Sequence, residues 1–156
     1  MIVVSDSSPI LNLASVDKLH LLRDLFAELI IPPAVEQELS GKGITLDPLW
    51  VTVVTAQDRN QVAALHDHLD PGEAEAIVVA AELRAALLLI DERRGRRIAM
   101  DRGLKITGLL GVLARAKTLG LIPRCQPVLD DMIRKAGFWI GDDLRTQFLR
   151  GVNEIG

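Results

Sequence analysis

Residues 86–91 read ALLLID, an uninterrupted apolar run that ends on an aspartate. The run has the length of a strand, and a strand that is apolar at every position is typically buried on both faces, as in a parallel sheet. The start of the chain repeats the arrangement, because residues 2–6 read IVVSD. Two buried strands, each followed directly by Asp, therefore predict a parallel sheet with carboxylates at one edge.

The rest of the chain alternates strands with helices. Further strands are predicted at 29–32, 50–54 and 104–107, and Pro and Gly separate the segments between them. Ser8 and Pro9 predict a helix start, with the Ser hydroxyl as cap and Pro at the first helical position. We expect helices over about 9–15, 17–26, 32–40, 58–69, 72–84, 92–102, 107–119, 126–136 and 141–151. This alternation predicts an α/β fold with a parallel sheet.

Length and composition restrict the class of protein. The 156 residues fit one domain, with 49% hydrophobic and 25% charged residues, which is typical of a folded globular chain. The only cysteine, Cys125, excludes an internal disulfide and a Cys-based zinc cluster and favours a cytoplasmic location. We recognise no signal peptide and no membrane span. The net charge of −3 argues against a broadly basic nucleic-acid-binding surface.

Asp6 and Asp91 are the first candidate functional residues. Ligands of open parallel sheets bind outside the carboxyl ends of the strands, which is where both aspartates fall. The structural alternative is that each aspartate caps the helix that follows it. For Asp6 this alternative is weaker because Ser8 and Pro9 already supply a helix start, whereas for Asp91 it stays open.

Two pairs of glutamates are harder to separate. Glu73 lies three residues after Asp70, a spacing that predicts a capping box, whereas Glu75 falls inside a strongly apolar helix and needs a partner or a metal ion. Glu36 and Glu38 lie on opposite flanks of the apolar face of their helix. Periodicity does not choose between them, and a solvated surface position explains either one.

At this point five segments resemble a PIN-like family of prokaryotic proteins related to the toxin nucleases of toxin–antitoxin pairs. In chain order they are IVVSDSSPILNLA, IPPAVEQEL, PGEAEAI, LLLIDERRGRRIA and ITGLLGVLARAKTLG. The resemblance covers about residues 1–122. It implies a three-layer fold with a central parallel sheet of about four to five strands flanked by helices. We expect residues 1–156 to form one such domain, with the helices from about 125 packed on it or on a partner.

The resemblance also implies an acidic site. Position by position, its four acids are Asp6, Glu38, Glu75 and Asp91. The family spacing thus selects Glu38 over Glu36. Glu73 stays a possible ligand beside Glu75, and Glu92 is a weaker candidate than Asp91. Many toxin relatives carry Asp at the third position, so Glu75 is a small departure from the pattern.

Such a site implies metal-dependent chemistry on RNA. Carboxylates without His or Cys suit Mg²⁺ or Mn²⁺, which activate water and offset phosphate charge. The arginines that follow Asp91 are candidates for phosphate contact, namely Arg93, Arg94 and Arg97. The alternative is a solvated helix face with salt bridges to Glu92 or Asp101. Ser7 is a possible site residue that bonds either a ligand oxygen or the Asp6 carboxylate, and a plain turn-stabilising role explains it equally well.

Two functions compete for this chain. The first is a ribonuclease, the toxin of a toxin–antitoxin pair, and the second is a PIN-fold interaction module that cleaves nothing. The apolar side chains of residues 108–119 and 126–151 predict a partly exposed patch and a homodimer, the alternative being that these helices simply cover the sheet. Those near the C-terminus are Val128, Met132, Phe138, Trp139, Leu144 and Phe148. An antitoxin segment is expected near the acids.

Overall fold

A computed structural model describes residues 1–155 and shows a wholly parallel sheet of five strands. The strands are β1 (Val3–Ser5), β2 (Leu29–Ile31), β3 (Val51–Val53), β4 (Leu87–Leu89) and β5 (Ile106–Thr107). Their order across the sheet is β3-β2-β1-β4-β5, so β1 and β4 are both central strands. The predicted α/β class and the two buried strands are confirmed.

Helices connect successive strands and cover both faces of the sheet. Within residues 1–155 they are α1 (Ser7–Ala14), α2 (His20–Phe26), α3 (Pro33–Gly41), α4 (Arg59–Leu65), α5 (Pro71–Glu82), α6 (Arg93–Asp101), α7 (Leu109–Thr118), α8 (Cys125–Ala136) and α9 (Asp142–Gly151). Each predicted helix is present, and the ends differ from prediction by a few residues because frayed termini depend on tertiary contacts.

Strand side chains alternate between two apolar cores. Val3 and Leu89 lie in a core that also contains buried residues of α1, α2, α7 and α8. Val4 and Leu88 point to the opposite core, which α4 and α5 complete. Because successive strand residues face opposite sides, an all-apolar strand needs helices on both. The expected three-layer arrangement is therefore confirmed.

The observed start of α1 differs from the start predicted at Ser8 and Pro9. The helix begins at Ser7 rather than Pro9, and Asp6, not Ser8, occupies the N-cap position. Pro9 is still tolerated, because the first N–H groups of a helix have no partner within the helix in any case. Within residues 1–155 the Asp6 side chain makes no capping hydrogen bond, which leaves its carboxylate for other contacts.

The C-terminal helices pack on the core through α8. Val128 and Met132 are buried, whereas Trp139 and Leu144 are exposed, so the prediction of a partly exposed apolar set is confirmed. The buried Glu154 carboxylate accepts hydrogen bonds from the backbone N–H of Cys125, at 2.6 Å, and of the next residue, at the start of α8. This contact ties the end of the chain to α8. No helix within residues 1–155 has the length and apolarity needed to cross a membrane.

Candidate active site

The site lies where the order of the strands reverses. From β1 the chain runs to β2 and β3 on one side, and β4 pairs with the other side of β1. Asp6 follows β1, and its backbone N–H donates to the carbonyl oxygen of Leu89 at 2.9 Å, which continues the pairing of β1 with β4. Asp91 lies two residues beyond the end of β4. Both carboxylates thus sit at the crevice in which open α/β sheets bind ligands.

Asp6 is a buried carboxylate with unsatisfied hydrogen-bonding capacity. Asp6 is only 2% exposed, and its Oδ1 has no hydrogen-bond partner within residues 1–155. The pKa of Asp6 is raised to about 7, mainly by burial. The charges of Asp70, Glu38 and Asp91 contribute to the rise, and a backbone hydrogen bond from Ser7 opposes it. Such a group favours a bound proton or a cation at neutral pH.

Glu38 is brought to the same edge by α3. The Ser7 hydroxyl donates a hydrogen bond of 2.5 Å to Glu38 Oε2, so the residue after Asp6 orients this carboxylate. Glu36, its competitor in the sequence, is exposed. The structure therefore places Glu38, and not Glu36, beside Asp6. Of the roles considered for Ser7, the contact with a candidate ligand oxygen is the one observed.

Glu73 reaches into the site from the first turn of α5. The Asp70 side chain accepts a 2.9 Å hydrogen bond from the Glu73 backbone N–H, as the capping motif predicts. The Glu73 carboxyl does not complete the predicted box: Oε2 is buried without a partner, against Gly95 of α6. The pKa of Glu73 is raised to about 8, first by burial and then by the charges of Asp70 and Asp6 and a hydrogen bond with the Asp70 side chain, while a backbone hydrogen bond at Asp70 opposes the rise.

Glu75 faces a different element. Its Oε1 accepts a long hydrogen bond of 3.4 Å from the backbone N–H of Ala34, in the first turn of α3. Residues two apart on a helix point in different directions, so α5 cannot aim Glu73 and Glu75 at the same point. A carboxylate at a helix N-terminus has an adequate structural explanation. The choice of Glu75 over Glu73 stays a prediction, and the geometry favours Glu73.

Asp91 is held by the start of α7. Its Oδ1 accepts a 2.9 Å hydrogen bond from the Leu109 N–H, whereas Oδ2 is buried without a partner. The alternative that Asp91 caps the helix directly after it is wrong, because Glu92, which is exposed, occupies the N-cap position of α6. Burial raises the pKa of Asp91, while the Leu109 hydrogen bond and the charge of Arg96 oppose the rise.

Gly108 allows this contact between Asp91 and α7. A Cβ atom at Gly108 would lie 2.7 Å from Asp91 Oδ1 and 2.5 Å from Arg96 Nη1. Arg96 also donates to the carbonyl oxygen of Ile90 at 3.3 Å. Sequence reasoning missed Arg96 as a site residue. Its position five residues after Asp91, within the arginine run, was the available signal.

The arginines of α6 divide into two groups. Arg93 and Arg97 line a cleft of about 730 Å³ that also borders Asp91. Arg94 does not line this cleft and donates instead to the carbonyl oxygen of His68 at 3.2 Å. Within residues 1–155 neither Glu92 nor Asp101 forms an ion pair with this run, so the salt-bridged alternative is wrong for the described chain.

The donor set fits a divalent cation in part. Among the described residues, three buried carboxylate oxygens lack hydrogen-bond partners, one each on Asp6, Glu73 and Asp91, and carboxylate oxygens suit hard cations. Across residues 1–155, however, no group of three or more Asp, Glu, His or Cys side chains is arranged to hold one ion. Mg²⁺ requires no such cage, because it keeps several waters and binds through one or two carboxylates.

Comparison with known proteins identifies the family. A family model described as a PIN domain matches residues 2–154, almost the whole chain. No curated protein matches the chain.

Proposed function

The chain belongs to a PIN-domain family, and we propose from its acidic site that it is a divalent-metal-dependent ribonuclease. The PIN domain is a nuclease-type fold, which the described strands and helices reproduce. The observation that carries the proposal is the set of buried, unpartnered oxygens of Asp6, Glu73 and Asp91 at the strand switch point. Unpaired buried carboxylates are costly unless they bind a proton or a cation, so their retention favours a ligand.

The side chains of such a site would have different roles. Asp6 and Asp91 would hold Mg²⁺ or Mn²⁺ directly, and Glu73 would do so or bind its water. Glu38, oriented by the Ser7 hydroxyl, would position a water at the edge of the crevice. When bound, the cation supplies an activated water and offsets charge on the phosphodiester. Arg93 and Arg97 provide positive charge beside Asp91 for the phosphates of the substrate.

Cleavage of a mixed RNA pool tests this proposal. We expect products in Mg²⁺ or Mn²⁺, none in EDTA, and none from the Asp6→Asn variant in any buffer. Glu36→Gln, which changes an exposed acid on α3, is the matched control and should cleave like the wild type. An inactive wild-type chain would favour the alternative function, a non-catalytic interaction module.

A toxin role and an antitoxin partner are proposals that rest on the resemblance of the sequence motifs. An antitoxin segment would dock near the acids and could insert an Arg among them, because a guanidinium pairs with carboxylates. Arrest of growth on expression of the wild type but not of Asp6→Asn, relieved by a co-expressed partner, is the expected result. Growth unaffected by the active enzyme would contradict the toxin role.

The homodimer is also a proposal. The single-chain structure leaves Leu119 and Leu121 exposed after α7, outside the cleft lined by Trp139 and Leu144. An apolar surface of this kind offers a place for two copies to pack without closing the cleft. Light scattering at micromolar concentration should give twice the mass of the chain. A concentration-independent mass of one chain would contradict the dimer.

A further inference from the structure

The cleft beside Asp91 extends well beyond the acidic residues. It lies between α6, the start of α7 and residues 138–144, and its volume of about 730 Å³ is in the range of about 300–1,000 Å³ typical of ligand sites. Most of its lining is apolar; the large side chains that form this apolar wall are Met100, Ile106, Leu110, Phe138, Trp139 and Leu144. The acidic site does not use this wall.

Trp139 is the conspicuous residue of that wall. Trp139 is 83% exposed, and Leu144, which also lines the cleft, is 51% exposed. A large aromatic ring left in water beside an apolar cleft loses the stabilisation that burial would give it. Stacking with a planar ligand would recover that stabilisation.

The lining of the cleft also carries free positive charge. Arg93 and Arg97 are four residues apart on α6, so they share a face, and both line the cleft. Within residues 1–155 neither guanidinium makes a hydrogen bond or an ion pair. Together with Arg96, they face two acids in the lining, Asp91 and Asp101.

We propose that this cleft is a base-binding subsite for single-stranded RNA, in which an unpaired base stacks on Trp139 and the adjoining phosphates contact Arg93 and Arg97. The inference rests on the proposed function, because the subsite adjoins Asp91 and would hold a nucleotide next to the one cleaved. Stacking on aromatic rings combined with a positively charged backbone track is the usual way in which proteins bind single strands without reading their sequence. A base held in a duplex cannot expose its face to Trp139.

A protein partner fits the same cleft less well. An apolar helix or a second copy would cover Trp139 but would also bury Arg93 and Arg97 beside it. Burying unpaired charges is costly, so such a partner would have to bring its own acids. Single-stranded RNA supplies both a flat aromatic face and negative charge in one chain.

Binding of a labelled single-stranded RNA oligonucleotide to the full chain tests the subsite, with Asp6→Asn as the background so that no cleavage occurs. Trp139→Ala should weaken binding by roughly 5- to 150-fold, the equivalent of about 1–3 kcal/mol for one stacked base. Trp139→Phe should restore most of the affinity.

The arginines are tested by the salt dependence of binding. The double variant Arg93→Gln with Arg97→Gln should reduce the slope of log K against log salt concentration by about 1.4, or about 0.7 per phosphate contact. Arg59→Gln, which changes an exposed residue at the start of α4 that does not line the cleft, is the control.

The possible outcomes test the base-binding subsite independently of the proposed nuclease activity. Weaker binding by Trp139→Ala supports the subsite even if the wild type cleaves nothing. Equal affinity of Trp139→Ala and the parent overturns the subsite, and it leaves the proposed function standing if the wild type cleaves RNA. A Trp139→Ala variant that changes the oligomeric mass but not RNA affinity would show a protein interface and overturn the subsite. Equal affinity for a duplex of the same sequence would also contradict it.

Discussion

Asp6 and Glu73 are neighbouring acids that the fold keeps out of water at the end of β1. Burial and the charges of neighbouring carboxylates raise the pKa of Asp6 to about 7 and that of Glu73 to about 8. An acid whose pKa is higher in the folded state than in the unfolded state stabilises the fold below its unfolded pKa. The contribution is lost as pH rises through the folded value. For these two residues the loss falls between about pH 4 and pH 8.

The first prediction is therefore a specific pH dependence of stability. Without metal, the melting temperature of the wild type should fall more steeply between pH 5 and pH 8.5 than that of Asp6→Asn, which lacks the titrating group. Thermal denaturation followed by circular dichroism measures this difference. Glu36→Gln should follow the wild type. Parallel curves for Asp6→Asn and the wild type would show that Asp6 carries no raised pKa.

The second prediction separates the two glutamates of α5. Glu73→Gln should lower Mn²⁺ affinity by about tenfold or more while leaving the metal-free chain as stable as the wild type or more so, because it removes a repelling charge. Glu75→Gln should leave Mn²⁺ affinity unchanged and cost about 0.5–1.5 kcal/mol in urea unfolding, because it weakens the bond with Ala34. The reverse pattern would restore Glu75 as the ligand.

For single residues, the sequence predicted which element carries each acid better than it predicted where the side chain of that acid points. Asp6 and Asp91 follow buried strands, so sheet geometry alone places them at one edge. Glu73 and Glu75 are only two residues apart, and which one meets Asp6 depends on how α5 is rotated against α3 and α6. Arg96 and Asp70 were missed as neighbours of the acids for the same reason. Asp70 lies near Asp6 although the two are distant in the sequence, whereas Arg96 lies only five residues after Asp91.

Among the elements, α5 and α6 must approach closely to form the site. A Cβ atom at Gly95 would lie 2.6 Å from Glu73 Oε2 and 2.7 Å from Ile90 Cδ1. These distances are below normal contact, so glycine at this position of α6 allows Glu73 to sit between the two helices. The single glycine within RRGRR at residues 93–97 gave no sign of this packing, because it arises only where the two helices meet.

The third prediction follows from that packing. Ala normally stabilises a helix relative to Gly by about 1 kcal/mol, but Gly95→Ala should instead destabilise the protein by about 1–3 kcal/mol through overpacking and displace Glu73. Gly151→Ala, at the end of α9 with nothing within 4 Å of a new Cβ, is the matched control. Urea unfolding measures both. A Gly95→Ala variant as stable as Gly151→Ala would mean that α6 lies farther from α5.

For the whole molecule, sequence pattern predicted the architecture because local signals agreed with the fold. Apolar strands, Pro at helix starts and Gly at helix ends place the sheet and its two helical layers. The pattern could not predict the tie between Glu154 and the start of α8, since a lone acid near the end of a chain carries no periodic signal. That tie fastens the chain beyond α9, close to the helices that bear the wall of the cleft.

The arrangement of charge over the molecule matches a nuclease more closely than the net charge of −3 does. The acids meet at the strand ends, and the arginines of α6 lie beside them along the cleft. Local fields of opposite sign thus adjoin each other where a metal ion and a phosphate backbone would both bind. The net charge is a sum over the whole sequence, so it does not reveal that the acids and the arginines lie in separate, adjoining regions.

A Mn²⁺ titration of the full chain at pH 8, followed by calorimetry or by loss of the free-ion electron paramagnetic resonance signal, tests the central claim most directly. At that pH Asp6 has largely lost its proton, given a pKa of about 7. The acidic site should take up Mn²⁺ in the wild type and in Glu36→Gln, and lose that uptake in Asp6→Asn while circular dichroism stays unchanged. Equal uptake by Asp6→Asn and the wild type, or no uptake by the wild type, would contradict the metal centre.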